Sequence, residues 1–187
     1  NHAVGNWDSF GNRNAQNMYT YKPQQGRWQL FMWDANIVLG NSGSDGPSGD
    51  DLFQYNFSDG PMGRLYAIPQ FRRAYLRALK EVADGPMLPG PVGALIDSKY
   101  AAFQAAGVSA SSGSAVKSWI RSRVTYLRSE VAKVTANFTV RAEGVTGGST
   151  PQNLVTLTGT APISVAIMAL LTKRASTRAL RLASSSP

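Results

Sequence analysis

The stretch NHAVGNWDSFGNRNAQNMYTYKPQQGRWQLFMWDANIVLG, residues 1–40, decides the fold. Two of its segments, residues 17–22 and 27–33, are rich in aromatic and apolar side chains. Between them lies PQQG, in which Pro23 and Gly26 are residues that favour a turn. Two such segments around a short turn predict a β-hairpin.

Two acidic residues bracket this hairpin, Asp8 before its first strand and Asp34 after its second. Because a hairpin returns the chain on itself, both carboxylates can reach one end of it. A kinase-like site needs one Asp to orient the attacking hydroxyl, and an Asn and a second Asp to hold metal ions. Mg²⁺ prefers hard oxygen ligands and takes one or two carboxylates. The pattern is therefore compatible with phosphoryl transfer.

A second interpretation of these acids is that they only terminate turns. In the usual kinase loop the Asn stands five residues after the Asp, and here that position is Arg13. The Asn that abuts the predicted strand is Asn17. Asp8 and Asp34 can also act as turn or cap residues, with the Asn cluster serving tight loops. Spacing alone favours this second interpretation.

The middle of the chain is predicted to be helical, after a Gly/Ser/Pro/Asp-rich and mobile loop at residues 41–51. Pro69 suits a first helical turn, and Gly85 ends the apolar periodicity that follows it. The segment PMLPGP is predicted to be a tight connector. Further helices are predicted over residues 91–106 and 114–135, the latter with Ser114 as N-cap. The apolar stripe of the last helix comprises Val116, Trp119, Ile120, Val124, Leu127, Val131 and Val134.

After Ala136 the pattern changes to short strands around a Gly-rich turn, which predicts the start of a β module over residues 137–162. Residues 163–187 form a basic, irregular segment rich in Ala, Leu, Ser and Arg. This segment is either a helical tail or a departure from the module's own sequence, such as a shifted reading frame would produce. The second interpretation is favoured.

Composition excludes several kinds of site. The chain has no Cys and one His, which excludes disulfides, thiolate zinc sites, cysteine nucleophiles and multi-histidine metal sites. The longest apolar run near the end, APISVAIMALL, is far shorter than the roughly 20 residues of a membrane span. No membrane span is therefore predicted.

The net charge of +8 does not indicate nucleic-acid binding. Half of the excess lies in the tail after Glu143, and the other bases fall on predicted helices, where they are usually a solvated face. We therefore predict no nucleic-acid partner. The helical bases are Arg72, Arg73, Arg77 and Lys80 in one helix, and Lys117, Arg121, Arg123 and Arg128 in another.

Residues 1–40 resemble the core of the CotH kinase family, the spore-coat-type atypical protein kinases. In that family an Asn-Trp-Asp segment leads to a strand with Asn and aromatic residues, then to Gly-Lys/Arg-Trp and to a Trp-Asp motif ending in Gly. The later segments IPQFRRAYLRALKEVADGP, LIDSKYAAF and VTLTGTAP are similar too. The resemblance covers most of residues 1–162.

The resemblance implies an α+β fold, with the C-terminal lobe of a kinase-like domain over residues 1–136 and an incomplete β-sandwich-like module after it. It implies phosphoryl transfer from ATP, with Mg²⁺, to Ser or Thr of secreted or coat proteins. By the same resemblance Asp8 is the catalytic acid, and Asn17 and Asp34 hold the metal. Asn12 and Asn14 are alternatives to Asn17. His2 and Trp7 would support the loop, and Trp33 would pack beneath the site.

Two departures from the family pattern bear on this assignment. The family commonly has an acid two residues after the Trp-Asp pair, where this chain has Asn36. In a kinase the phosphate-binding Lys belongs to an N-terminal lobe that precedes the catalytic loop, so the nucleotide-binding residues are not identified and an isolated fragment is expected to be inactive. The implied location is extracellular or on the cell or spore surface. The alternative function is a non-catalytic surface or matrix binding module on the same fold.

Overall fold

The computed structural model describes residues 1–12, 16–40, 48–53, 60–145 and 155–165. Its fold is α+β, with four α-helices and two small antiparallel sheets among these residues. The chain divides into two compact units, Asn1–Ala132 and a second unit that begins at Lys133. No helix in the described part of the chain is both long and apolar enough to cross a bilayer.

The first unit begins with a 3₁₀ helix, His2–Val4, followed by the hairpin strands β1, Met18–Tyr21, and β2, Gln29–Met32. Four helices follow: α1, Gly60–Ala67; α2, Pro69–Asp84; α3, Pro89–Ala105; and α4, Ser114–Ala132.

The core of this unit lies where α2 packs on α4, with α1 against α2 and α3 against α4. The 3₁₀ helix contacts both α2 and α4. The buried apolar side chains recur at three- and four-residue spacing, which gives each of these two helices one apolar stripe. They are Leu76, Leu79 and Ala83 on α2, and Ile120, Val124, Leu127 and Val131 on α4.

The predicted hairpin is present, and its strands pair antiparallel with Met18 opposite Met32 and Tyr21 opposite Gln29. Gly26 in the turn has φ +112°, which a residue with a Cβ rarely adopts. Large apolar side chains are exposed on both faces of the ribbon. They are Tyr19, Tyr21, Trp28, Leu30, Phe31, Met32 and Trp33.

The predicted helices occur at almost the expected positions. Pro69 is the first residue of α2, as expected, although Phe71, an apolar residue of its first turn, is exposed. α4 ends at Ala132, three residues earlier than predicted, so Val134 of its predicted stripe is exposed. Ser114 is the first helical residue of α4.

The connector prediction for PMLPGP is wrong in its second half, and one helix was not predicted. Pro89 and Pro91 lie in the first turn of α3, where the missing N–H of proline leaves no helical hydrogen bond unmade. Helix α1 is only eight residues long, too short for a clear periodic signal.

The second unit contains a two-stranded antiparallel sheet of β3, Thr139–Ala142, and β4, Leu157–Thr160. These strands fall within the predicted β module. Residues 146–154 of the module and 166–187 of the tail lie outside the described residues. The predictions for the tail and for the domain boundary at residue 136 stay predictions.

Candidate active site

Asp8 lies in a tight polar loop that follows the 3₁₀ helix. Gly5 ends that helix in a left-handed conformation, φ +75°. The carbonyl oxygen of Asn6 accepts hydrogen bonds from Ser9 Oγ at 2.7 Å and from Asn12 Nδ2 at 3.1 Å. Asn6, Ser9 and Asn12 are all buried, while Asp8 between them is only half-buried. The Ser9 and Asn12 side chains thus stabilise the backbone of the loop, while the Asp8 side chain stays partly accessible.

Asn17, immediately before β1, holds Asp8 directly. Its Nδ2 donates to the backbone oxygen of Asp8 at 2.7 Å and to Asp8 Oδ2 at 2.9 Å. Hydrogen bonds to an ionised carboxylate are among the stronger ones in proteins. The predicted pair of catalytic acid and neighbouring amide is therefore in contact, across nine positions of sequence.

Asp34 is brought to the same end of the hairpin by the strand register. The N–H of Trp33 donates to the carbonyl oxygen of Asn17 at 3.0 Å, which extends the ladder one step beyond Met18 and Met32. Asp34 is the next residue along the chain and is exposed. Asn17 and Asp34 both have left-handed backbones, with φ +59° and +47°.

The segment after Asp34 contacts the rest of the first unit at two points. The N–H of Leu39 donates to the carbonyl oxygen of Val4 at 2.9 Å. Gly40 has φ +71°, and a Cβ built there would lie 2.5 Å from Cδ1 of Trp119 on α4. Position 40 therefore requires glycine for two reasons, its left-handed backbone and the close approach of the Trp119 ring.

Arg123 of α4 is buried against the 3₁₀ helix that precedes the Asp8 loop and is 2% exposed. Its guanidinium donates to the carbonyl oxygens of His2 at 2.6 Å and Ala3 at 3.3 Å. It also donates to the carbonyl oxygens of Ser48 at 3.0 Å and Asp50 at 2.8 Å. Burial lowers the pKa of Arg123, but an arginine side chain keeps its proton in proteins.

His2, the first residue of the 3₁₀ helix, is buried against α2. The Tyr75 hydroxyl donates to the Leu52 carbonyl oxygen at 2.6 Å, so we assign the proton of the imidazole to Nδ1. That nitrogen lies 2.6 Å from the Tyr75 hydroxyl oxygen and 3.2 Å from the Leu52 oxygen. Burial lowers the pKa of His2, and the backbone interactions with Leu52 and Gly11 only partly oppose this shift. His2 is thus a neutral structural residue of the loop's support.

The other predicted residues differ in their placement. Asn12 is buried and its side-chain amide donates to the carbonyl oxygen of Asn6, whereas the side-chain amide of Asn17 donates to Asp8. Asn14 lies outside the described residues. Trp33 does not pack beneath the site as expected: it is 65% exposed, because it belongs to a two-stranded ribbon with apolar side chains exposed on both faces.

Arg123 was assigned to a solvated helix face, and that assignment is wrong. A signal for its burial exists in the sequence, because it stands three residues after Ile120 and four before Leu127, within the apolar stripe. The prediction rested on the charge of Arg123 rather than on its position in the apolar stripe. The other predicted charged residues of α4 behave as expected in part, since Arg121 and Arg128 are exposed.

The donor set suits Mg²⁺. Asp8, Asn17 and Asp34 offer only carboxylate and amide oxygens, and Mg²⁺ is bound by such ligands together with phosphate oxygens and water. Among the described residues no group of three or more His, Cys, Asp or Glu side chains could hold a metal ion. Two acids and one amide therefore suit a metal shared with a phosphate rather than an all-protein metal cage.

A loop acid paired with an amide, a second acid across a hairpin and a helical support are together compatible with part of a kinase-like fold. A family model described as CotH kinase protein matches residues 1–132, well over half of the chain. The chain belongs to the CotH kinase family. No curated protein and no solved structure matches the chain.

Proposed function

We propose that this chain carries the phosphoryl-transfer residues of an atypical protein kinase that uses Mg²⁺ and ATP. Its substrates are Ser or Thr hydroxyls of secreted or coat proteins, and it acts outside the cell or at the cell or spore surface. The observation that carries the proposal is the contact between Asn17 Nδ2 and Asp8 Oδ2 at 2.9 Å, beside the hairpin end that bears Asp34. Membership of the CotH kinase family supports it.

Each residue has a defined role in this mechanism. The Asp8 carboxylate accepts the proton of the substrate hydroxyl. At the same time the hydroxyl oxygen of the substrate bonds to the γ-phosphorus, and the bond between that phosphorus and the ADP oxygen breaks. Asn17 orients Asp8 through Nδ2, which leaves its amide oxygen as a ligand atom. Asp34 would hold the metal with that oxygen. Mg²⁺, when bound, neutralises charge on the transferred phosphate.

The test is Mg²⁺-dependent ATP turnover by the intact protein that carries this sequence, with Asp34→Asn and Asp8→Asn. Both substitutions keep side-chain size and remove the charge. We expect each to lower kcat by at least about 100-fold. Asparagine is preferred to alanine at Asp34 because it tolerates the left-handed backbone found there.

A matched control removes an acid elsewhere. Asp97 on α3 forms an exposed ion pair with Lys117, so Asp97→Asn should leave kcat unchanged. If Asp34→Asn and Asp8→Asn retain the turnover of the Asp97→Asn control, the assignment of the site is wrong.

A non-catalytic binding module on the same fold is the second candidate function. The aromatic side chains exposed on both faces of the hairpin favour it, because exposed apolar patches mark interaction surfaces. The two functions differ in ligand linkage. A kinase binds ATP in its folded state, so ATP with Mg²⁺ should raise its melting temperature, whereas a binding module without a nucleotide site should show no shift.

A further inference from the structure

One face of α4 contacts both the 3₁₀ helix that precedes Asp8 and the segment that follows Asp34. Trp119 is packed against Gly40, in the segment that follows Asp34. Arg123, one helical turn later, donates to the carbonyl oxygens of the 3₁₀ helix that precedes Asp8. Residues four apart on a helix lie on the same face. A single rigid element thus contacts both sides of the site.

The three carbonyl oxygens of the 3₁₀ helix are all used in this connection. Arg123 takes those of His2 and Ala3, and the Leu39 N–H takes that of Val4. The 3₁₀ helix therefore cannot shift relative to α4 or to the segment after Asp34 without breaking these hydrogen bonds, and the Asp8 loop begins directly after this helix at Gly5.

The chemistry at this position requires a guanidinium. Four carbonyl oxygens from two separate segments converge on it, and only arginine presents five N–H donors in a fixed planar fork. Lysine has three donors on a single nitrogen and cannot span both segments in the same way. The rings of Trp119 and Tyr126 lie 6.0 and 5.3 Å from the guanidinium carbon, within the range of a cation–π contact.

We propose that Arg123 is a positioning residue for phosphoryl transfer. It fixes the 3₁₀ helix that leads into the Asp8 loop against α4, the helix that also contacts the segment after Asp34 through Trp119. The proposal rests on the proposed function, since a positioning role needs a reaction to position. It adds a residue that acts without contacting substrate, metal or nucleotide, through the backbone that leads into the Asp8 loop.

The test compares Arg123→Met, Arg123→Lys and Leu127→Ala in the intact protein. Leu127 is fully buried on the same helix, one turn further on, so its truncation is a matched destabilising control. At a temperature where all variants are folded, we expect Arg123→Met to lower kcat about 10- to 100-fold, because small misplacements of catalytic groups have effects of this size. KM for ATP should change little, and Leu127→Ala should keep kcat near that of the unmutated protein.

Amide hydrogen exchange supplies a readout that does not depend on activity. The amides of Gly5, Asn6 and Leu39 should exchange faster in Arg123→Met than in Leu127→Ala. The amides of α2 should exchange at the same rates in the two variants. If Arg123→Met and Leu127→Ala lower kcat equally and raise exchange in the same places, Arg123 has only a structural role and the proposal is overturned.

The remaining outcomes also support or contradict the proposal. If Arg123→Met fails to fold, Arg123→Lys takes its place, with a smaller loss confined to kcat as the supporting result and unchanged kcat as the contradicting one. If the unmutated intact protein shows no ATP turnover, the proposed function fails. The exchange rates then decide separately whether Arg123 fixes the loop.

Discussion

At the scale of single residues, two of the candidate ligands, Asn17 and Asp34, also have a left-handed backbone conformation. Asn17, Asp34 and Leu39 are the described residues other than glycine with positive φ. Asn and Asp adopt this region several-fold more often than most residues, and the cost for others is about 1–2 kcal/mol. A position that needs both an oxygen ligand and a left-handed backbone therefore selects these two residue types. Asn–Asp exchanges test the chemistry at such positions without adding strain.

His2 makes folding stability depend on pH. Burial lowers its pKa in the folded protein, so near and below pH 6.5 the unfolded chain binds a proton that the folded chain does not. The free energy of unfolding should be highest above about pH 6.5 and fall as the pH drops below it. The measurement is the midpoint of urea unfolding of the 187-residue chain between pH 5 and 8.

The control for this prediction is His2→Gln, which removes the chain's one imidazole. The difference between the two pH profiles then belongs to His2. Parallel profiles for the two proteins would contradict the prediction.

At the scale of elements, α4 shows what periodicity can and cannot predict. Apolar spacing predicted the helix and the burial of Ile120, Val124, Leu127 and Val131. It did not predict that the same stripe includes Arg123, because the partners of the guanidinium are backbone carbonyls distant in sequence. The same limit applies to Asn17, whose partner is Asp8 in the structure although the usual kinase spacing would have chosen Arg13.

The contact between Trp119 and Gly40 gives a prediction for the packing of α4. Gly40→Ala places a methyl group 2.5 Å from the Trp119 ring and also strains a backbone at φ +71°. Gly107→Ala is a matched control, since it has φ +69° with no atom within 4 Å. Thermal unfolding should show Gly107→Ala losing about 1–2 kcal/mol and Gly40→Ala losing clearly more. Equal losses would mean that the Trp119 contact yields without cost.

At the scale of the whole molecule, the division after Ala132 coincides with the end of the family match. A chain truncated after Ala132 should keep the cooperative unfolding transition of the first unit within about 3 °C, as expected for a free-energy change of up to about 1 kcal/mol. Differential scanning calorimetry of both chains is the measurement. A fall of more than about 10 °C would show that the first unit depends on the residues after it.

The family resemblance and the α+β class could be predicted from the sequence because they rest on short sequence motifs and on apolar periodicity. The resemblance carried Asp8, Asn17 and Asp34 together, whereas spacing alone favoured turn residues. The support of the site could not be predicted. It depends on Arg123, Leu39 and Gly40 reaching partners far along the chain.

The hairpin that presents Asp34 also has a practical consequence for handling the protein. Its aromatic and aliphatic side chains are exposed on both faces, and each strand pairs with only one neighbour among the described residues. Such a ribbon can add a strand from another chain at either edge and bury its faces in the same step. We therefore expect samples of this chain at high concentration to self-associate through the same element that positions the candidate metal ligands. An aggregate and an inactive enzyme would then give the same kinetic result.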